Sequence, residues 1–481
     1  MKIREDIGLT FDDVLLVPGY SKIRSRSAVS THTYLARGFP LAIPVVSSNM
    51  DTVTEARMAI ALAQEGGIGI IHRFMPIEKQ VEEVQKVKRA ESFVVEKPAT
   101  ISPQATLAEA RSQMDEADIG GLIVIGEGGK LLGILTARDI LLAPDMSVAV
   151  KEVMTPRNRL VVAREDESLE QARQELHAHR IEKLPVVDSE DHLVGLITAQ
   201  DIIKLQHHPA ATKDNKGHLR VGVAVGVRSQ DMERARACVS AGADLLVVDV
   251  AHGHSEYVIE MVKRLKTEFP QVSVIAGNVA TAQGVRDLAS AGADGVKVGV
   301  GAGSICITRL VAGAGVPQLT AIAECAQAGR EIGIPIIADG GIRHSGDVTK
   351  ALAAGASTVM LGSLLAGTDE SPGATVIRGG RRYKIVRGMA SLTANIARKE
   401  IEKQGEVDPD EWEKVVPEGV EAIVDYKGGV AEVLHQLVGG LRSGMTYAGA
   451  ATIEELWEKA EFIRITSAGM LESQPHDVKL I

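Results

Sequence analysis

Apolar positions along this chain follow two rhythms. Short unbroken runs of Val, Ile and Leu alternate with longer stretches in which apolar residues recur every three or four positions. The runs predict strands buried on both faces, as in a parallel sheet, and the stretches predict helices that cover them. Eight runs stand out: IPVVSSNMD, GIGIIHR, RVGVAVGV, DLLVVDVAHG, SVIAGNVAT, GVKVGVGAG, PIIADGGI and TVMLGSLLAG. Eight is the number a closed (β/α)8 TIM barrel needs. Three joins are near copies, AGADLLVVDVAHGH, AGADGVKVGVGAG and AGASTVMLGSLLAG, and the Gly of each Ala-Gly-Ala is predicted to cap the preceding helix.

A second repeat interrupts the first between its second and third strands. Residues 120–140 read GGLIVIGEGGKLLGILTARDI, and residues 182–202 read EKLPVVDSEDHLVGLITAQDI. Thr136 matches Thr198 and Asp139 matches Asp201. Each copy follows an amphipathic helix, TLAEARSQMDEA or SLEQARQELHAH, so a βαββα unit occurs twice. This pair resembles tandem cystathionine-β-synthase-type (CBS) modules, which commonly bind purine nucleotides between them. The plainer reading is that Thr and Asp cap the last helix of each unit, and the two roles are compatible. The expected organisation is barrel over 1–92, the CBS pair over 93–207 (copies at 93–146 and 153–207), and barrel again over 208–481.

Bulk composition narrows the function classes. The 481 residues suit a barrel of about 250 residues plus a smaller unit of about 100. The formal charge of −10 comes with no basic stripe, so no nucleic-acid partner is expected. Three cysteines without metal-ligand spacing argue against a disulfide framework and for a reducing compartment. The N-terminus MKIREDIGLTFDD has no apolar signal core, and no stretch approaches ~20 apolar residues. A cytoplasmic protein without membrane contact is the expectation.

In this fold the chemistry sits at the C-terminal ends of the strands, with phosphate commonly held after strands seven and eight. There the sequence offers the amides of Gly340, Gly341 and Gly362, the hydroxyl of Ser363, and Asp339 to accept from a ribose diol. Glycines in such places can also serve tight turns alone. Cys238 and Cys325 lie in alanine-rich helical stretches and read as small buried hydrophobes. Cys306 instead lies in a glycine-rich loop flanked by hydroxyls and Arg309, where a thiolate can attack an electrophilic ring carbon.

The loop GAGSICITR, the N-terminal LTFDDVLLVP, the run ADGGIR and the tail FIRITSAGMLESQPHD resemble the IMP dehydrogenase and GMP reductase family over nearly the whole chain. The resemblance implies a covalent adduct between Cys306 and purine C2, and hydride transfer between C2 and a nicotinamide. It implies substrate contacts, GMP or IMP, at Ser304, Asp339, Gly340, Gly341, Gly362, Ser363, Gly388, Met389, Ala390 and Glu418. It implies dinucleotide contacts at Asp249, Asn278, Gly299, Val300 and Gly301. It implies K+ held by carbonyls of Gly301, Gly303 and Cys306, completed by Glu472, Ser473 and Gln474 of a neighbouring subunit. Homotetramers, with octameric stacks through the inserts, are the expected assembly, and purine nucleoside di- or triphosphates the expected ligands of the CBS pair.

The two branches of the family differ in how the adduct is resolved. The dehydrogenase hydrolyses it with Arg-Tyr on a mobile flap. The reductase forms it by expelling ammonia from GMP, reduces it with NADPH, and relies on a Thr–Glu pair. The flap here, about residues 388–428, contains no Arg-Tyr; Asp410-Glu411-Trp412 stands in the corresponding stretch. An acidic stretch cannot supply a guanidinium. Thr308 and Glu418 are both present, and Ser48-Asn49-Met50, Gly388-Met389-Ala390-Ser391 and Glu370-Ser371-Pro372-Gly373 look reductase-like. The tail, the CBS pair and the Val-Ala-Gly run after Cys306 look dehydrogenase-like. Val386 stands where many members place a phosphate-binding Tyr, and Ala302 replaces a common Pro or Ser. GMP reductase with NADPH is therefore expected, with IMP dehydrogenase using NAD as the alternative. A nucleotide-responsive paralogue without turnover is the third class; loss of Cys306 would have marked it, and Cys306 is present.

Overall fold

A computed structural model describes residues 1, 3–91, 94–95, 98–117, 119–143, 145–165, 167, 169–200, 202, 208–402, 416–475 and 477–478. The chain divides into two compact units. One is Met1–Lys88, Ala210–Thr212 and Leu219–Ile481; the other is Arg89–Pro209 with Lys213–His218.

The larger unit is a closed eight-stranded barrel. Its strands are β1 (Val45–Ser47), β2 (Ile68–Ile71), β3 (Gly222–Val225), β4 (Leu245–Asp249), β5 (Ser273–Val279), β6 (Gly295–Val298), β7 (Ile336–Asp339) and β8 (Thr358–Leu361). Each of the eight apolar runs contains one of them. All neighbours are parallel, and β8 closes onto β1 through Val359↔Val45, Met360↔Val46 and Leu361↔Ser47. The register sets strand ends level: Asp249 on β4 faces Gly277 on β5, and Asp339 on β7 faces Met360 on β8.

Strand alternation separates two cores. Val46, Ile68, Ile70, Leu245, Val247, Ile275, Ile337 and Met360 fill the barrel together with Leu35, Phe39 and Leu41. The last three come from a hairpin, Thr33–Ala36 with Phe39–Leu41, that plugs the N-terminal end; Thr33 Oγ1 donates to Ser357 O at 2.7 Å. The outward residues Val45, Ile71, Val223, Leu246, Val248, Val274, Val296 and Val359 pack under the helices. Gly69 on β2 permits one close approach, because a Cβ there would lie 2.5 Å from Ala59 Cα in the helix Ala56–Gln64.

The Ala-Gly-Ala repeat is a helix stop. Gly242, Gly292 and Gly355 have φ of +99°, +106° and +108°. In each copy the following alanine amide reaches back five residues, as Ala243 N to Cys238 O at 3.0 Å, and the glycine amide reaches the C2 carbonyl, as Gly242 N to Val239 O at 2.9 Å. That double bond is the Schellman arrangement, which needs a left-handed residue and so selects glycine.

The smaller unit holds two sheets. One orders Thr100–Ile101, Gly121–Ile125, Leu131–Thr136 and Thr155–Pro156; the other orders Ala163–Arg164, Lys183–Val187 and Leu193–Thr198. Each repeat lends its leading residues to the other repeat's sheet, since Thr155 pairs with Ile134 and Val95 pairs with Leu196. Arg157 grips Asp191 with two bonds of 2.8 and 2.6 Å within this exchanged arrangement. Thr136 and Asp139 form a capping box at the helix Ala137–Leu141, with Thr136 Oγ1 donating to Asp139 Oδ2 at 2.6 Å. The capping role is thus visible in the first copy; Asp201 of the second lies outside the described residues.

Every barrel strand and both barrel cores belong to the larger unit. Replacing residues 93–207 by a short Gly-Ser linker is expected to leave a cooperatively unfolding barrel. Circular dichroism and thermal unfolding check this, and a molten or aggregated product would contradict it.

Candidate active site

The loops after β6, β7 and β8 enclose a cavity of about 290 Å³. Ser304, Asp339, Gly340, Gly341, Gly362 and Ser363 all line it. Gly340 and Gly341 have φ of +100° and +82°. A Cβ on Gly340 would lie 3.0 Å from the Ala302 carbonyl carbon and the Gly303 nitrogen, so the β7 turn can rest directly on the cysteine loop only as glycine. Gly362 caps the short helix Ser363–Ala366 and its carbonyl takes the amides of Leu365 and Ala366. The earlier amides of that turn have no intrahelical acceptor, as at the start of any helix.

A backbone ladder joins the cysteine loop to both ends of the flap. Val420 N donates to Ile305 O at 3.0 Å, and Ile307 N to Glu418 O at 2.8 Å. Gly388 N donates to Val420 O at 3.0 Å, and Glu418 N to Ala390 O at 3.0 Å. Three segments distant in sequence, 305–307, 388–390 and 418–420, are thereby stacked. Glycines allow it: a Cβ on Gly388 would lie 3.2 Å from Ile305 O. Arg387 ion-pairs with Asp51, whose amide meets Met389 Sδ at 3.4 Å, and this ties the start of the flap to the loop after β1.

Cys306 Sγ lies 3.2 Å from Thr308 Oγ1 and is partly accessible. The other two cysteines are buried, and burial pushes the Cys238 thiol up to about 11 and the Cys325 thiol up to about 12. Arg309 braces the loop, donating from Nε to Val300 O at 3.3 Å and from Nη2 to Val316 O at 2.6 Å.

Two of the dinucleotide candidates, Asp249 and Asn278, meet around a lysine that sequence reasoning passed over. Lys297, on β6, is 2% exposed. Its ammonium bonds Asp249 Oδ1 at 2.7 Å, Asp339 Oδ2 at 2.6 Å and Asn278 Oδ1. Burial opposes that charge, but the two carboxylates outweigh it and hold Lys297 protonated, well above the ordinary amine range. Burial likewise opposes the charge on Asp249, and Lys297, helped by Asn49, holds its carboxyl below the ordinary range. Both N–H groups of Asn278 are spent, on Gly299 O at 2.7 Å and Asp339 Oδ2 at 2.9 Å. Only its carbonyl oxygen has a lone pair left for a ligand. The signal for Lys297 was present: a lysine inside the apolar run GVKV. Asn49, Thr10, Phe11 and Arg343 lie within the motifs quoted for the family resemblance but had no role assigned, and Asp51 and Arg387 carried no comparable mark.

Gly301, Gly303 and Cys306 suit a monovalent cation by donor type. Gly303 O accepts from Cys306 N at 3.1 Å, and the Gly301 and Cys306 carbonyls accept no hydrogen bond among the described residues. Among those residues, no group of three or more His, Cys, Asp or Glu is arranged to hold a metal. Glu472, Ser473 and Gln474 are exposed, and Ser473 Oγ donates to Gly469 O. Val386 is fully buried and pairs with Ala422, so its side chain does not line a ligand surface. Asp410, Glu411 and Trp412 lie outside the described residues.

The IMP dehydrogenase / GMP reductase domain family matches residues 8–476. The chain belongs to this family. Its members are oxidoreductases that use nicotinamide cofactors. The inosine-5'-monophosphate dehydrogenase of Aquifex aeolicus is 56% identical over 481 residues, covering 100% of this chain and 97% of that one. The GMP reductase of Leishmania donovani is 50% identical, covering 98% and 97%. A crystal structure of a Trypanosoma brucei GMP reductase variant in complex with guanosine 5'-monophosphate aligns with TM-score 0.84 at 49% identity, covering 98% of each chain. Another, of the T. brucei reductase in complex with guanosine 5'-triphosphate, aligns with TM-score 0.73 at 45% identity, covering 96% and 98%. Among the described residues, no helix is long and apolar enough to cross a membrane.

The thiol accessibilities generate a direct test. Iodoacetamide applied to the native protein is expected to alkylate Cys306 alone, with Cys238 and Cys325 reacting only after denaturation. Peptide mass spectrometry reads the sites, and native labelling of either helix cysteine at the rate of Cys306 would contradict it.

Proposed function

We propose that the protein is a GMP reductase, converting GMP and NADPH to IMP, NADP and ammonia with uptake of one proton. The flap carries this reading. Residues 388–428 contain no Arg-Tyr pair, while Glu418 is joined through its backbone to the residue beside Cys306. In this reading the 5'-phosphate meets Ser304, Gly340, Gly341, Gly362 and Ser363, the ribose diol meets Asp339, and the base lies against Gly388, Met389 and Ala390. Cys306 Sγ adds to purine C2, and the bond from C2 to the exocyclic nitrogen breaks. Thr308 relays the proton with which ammonia leaves, and Glu418 sets the protonation of that hydroxyl. Asp249, Asn278 and Gly299–Gly301 would hold the dinucleotide, which when bound would supply the hydride that C2 takes up as Cys306 Sγ leaves it. K+ on the Gly301, Gly303 and Cys306 carbonyls, completed by a neighbour's Glu472, Ser473 and Gln474, would steady the loop in a cytoplasmic homotetramer or octamer.

IMP dehydrogenase is the second reading, favoured by the 56% identity to the Aquifex enzyme. Product identity separates the two. GMP should oxidise NADPH and yield IMP and ammonia, while IMP with NAD should yield little xanthosine monophosphate. Cys306→Ala should abolish turnover yet keep GMP binding, and Glu418→Gln should slow turnover about 10²–10⁴-fold with a smaller effect on affinity. Robust xanthosine monophosphate formation with no NADPH oxidation by GMP would reverse the assignment.

For residues 93–207 the proposal is a CBS pair that binds purine nucleoside di- or triphosphates, supported by the guanosine 5'-triphosphate complex of the T. brucei reductase. Binding is expected to shift activity about 5–150-fold, a coupling of about 1–3 kcal/mol. Calorimetry and rates on the full chain measure it, and nucleotide titrations that show neither heat nor rate change would remove it.

A further inference from the structure

Lys297 sits where the ends of β4, β5 and β7 converge, and its three ammonium hydrogens meet three acceptors: Asp249 Oδ1, Asp339 Oδ2 and Asn278 Oδ1. None is left over, so Lys297 cannot touch a ligand without releasing a partner. Its influence passes through the residues it holds. Towards β7, Asp339 Oδ2 takes both Lys297 and Asn278 Nδ2, which leaves Oδ1 for the cavity that Asp339 lines. Towards β4, Asp249 Oδ1 takes Lys297 and Oδ2 takes Asn49 Nδ2 at 2.8 Å, with Asn49 only 5% exposed.

We infer that Lys297 is a positioning residue shared by the two halves of the site, one ammonium orienting the carboxylate for the nucleotide ribose and the carboxylate on the dinucleotide side. The inference rests on the proposed roles of Asp339 and Asp249. Two carboxylates held 2.6 and 2.7 Å from one buried cation are not independent. Removing the cation leaves like charges facing each other near the barrel axis, and both side chains must turn away or take up protons. A lysine serving only barrel stability would cost stability when replaced and would not move two ligand affinities together.

The test uses the full chain, with GMP affinity from calorimetry and the KM for NADPH at saturating GMP. Lys297→Met should weaken both by roughly tenfold or more, the scale of a lost charged hydrogen bond. Lys297→Arg, which keeps the charge and the donors, should restore both towards wild type. In an Asp339→Asn background, adding Lys297→Met should no longer weaken GMP binding but should still raise the KM for NADPH. Should Lys297→Met fail to fold, the double variant, which removes a cation and an anion together, and Lys297→Arg carry the test. A folded Lys297→Met that shifts only one ligand, or neither, overturns the inference, as does full additivity of the two substitutions on GMP affinity. Wild-type protein that binds neither GMP nor IMP would instead remove the functional reading, and the inference with it.

Discussion

Closure of the barrel between β2 and β3 is the constraint on which the rest depends. Ile70 pairs with Gly222 and Ile71 with Val223 across the whole inserted unit. Loop-closure entropy grows only with the logarithm of loop length, so an insertion of this size costs little more than a short crossover. In return, eight parallel strands present their C-terminal ends around one opening. Without that pairing, Asn49 on the β1 loop and Asp249 on β4 would have no reason to meet.

At that opening, backbone does much of the assembly. Gly340 rests on Ala302 and Gly303, and Gly388 packs beside Ile305 and Gly419. Side chains at these points would force the cysteine loop, the β7 turn and the flap apart. The polar side chains there include one buried charged cluster. The Lys297 hub places one cation between two anions and satisfies all three ammonium hydrogens, which is the condition under which buried charge is tolerated.

One scaffold serves two reactions in this family, so the fold cannot choose between them. Barrel, cavity and cysteine loop are common ground, and relatives of both kinds align over nearly the full chain. The difference lies in what the flap brings to the adduct. In the reading proposed, an Arg-Tyr pair would favour attack by water, and residues 388–428, which carry none, leave hydride as the partner for C2. Arg309 beside the cysteine is engaged with the carbonyls of Val300 and Val316.

Period and punctuation made much of this protein legible from its residues. Unbroken apolar runs marked the eight barrel strands, because a strand buried on both faces tolerates little else. Ala-Gly-Ala marked helix stops, because the Schellman turn needs a left-handed residue. Gly340, Gly341, Gly362 and Ser363 marked the lining of one cavity by their place after β7 and β8, and the helix cysteines read correctly as buried. Tertiary structure alone decided the partnerships. Which carboxylates Lys297 would bridge, that Asp51 would hold Arg387, that Arg309 would brace a loop, and that Glu418 would lie beside Ile307 all depend on strand register and loop packing. Those contacts join residues up to some hundreds of positions apart, and local pattern carries no information about distances across a closed barrel.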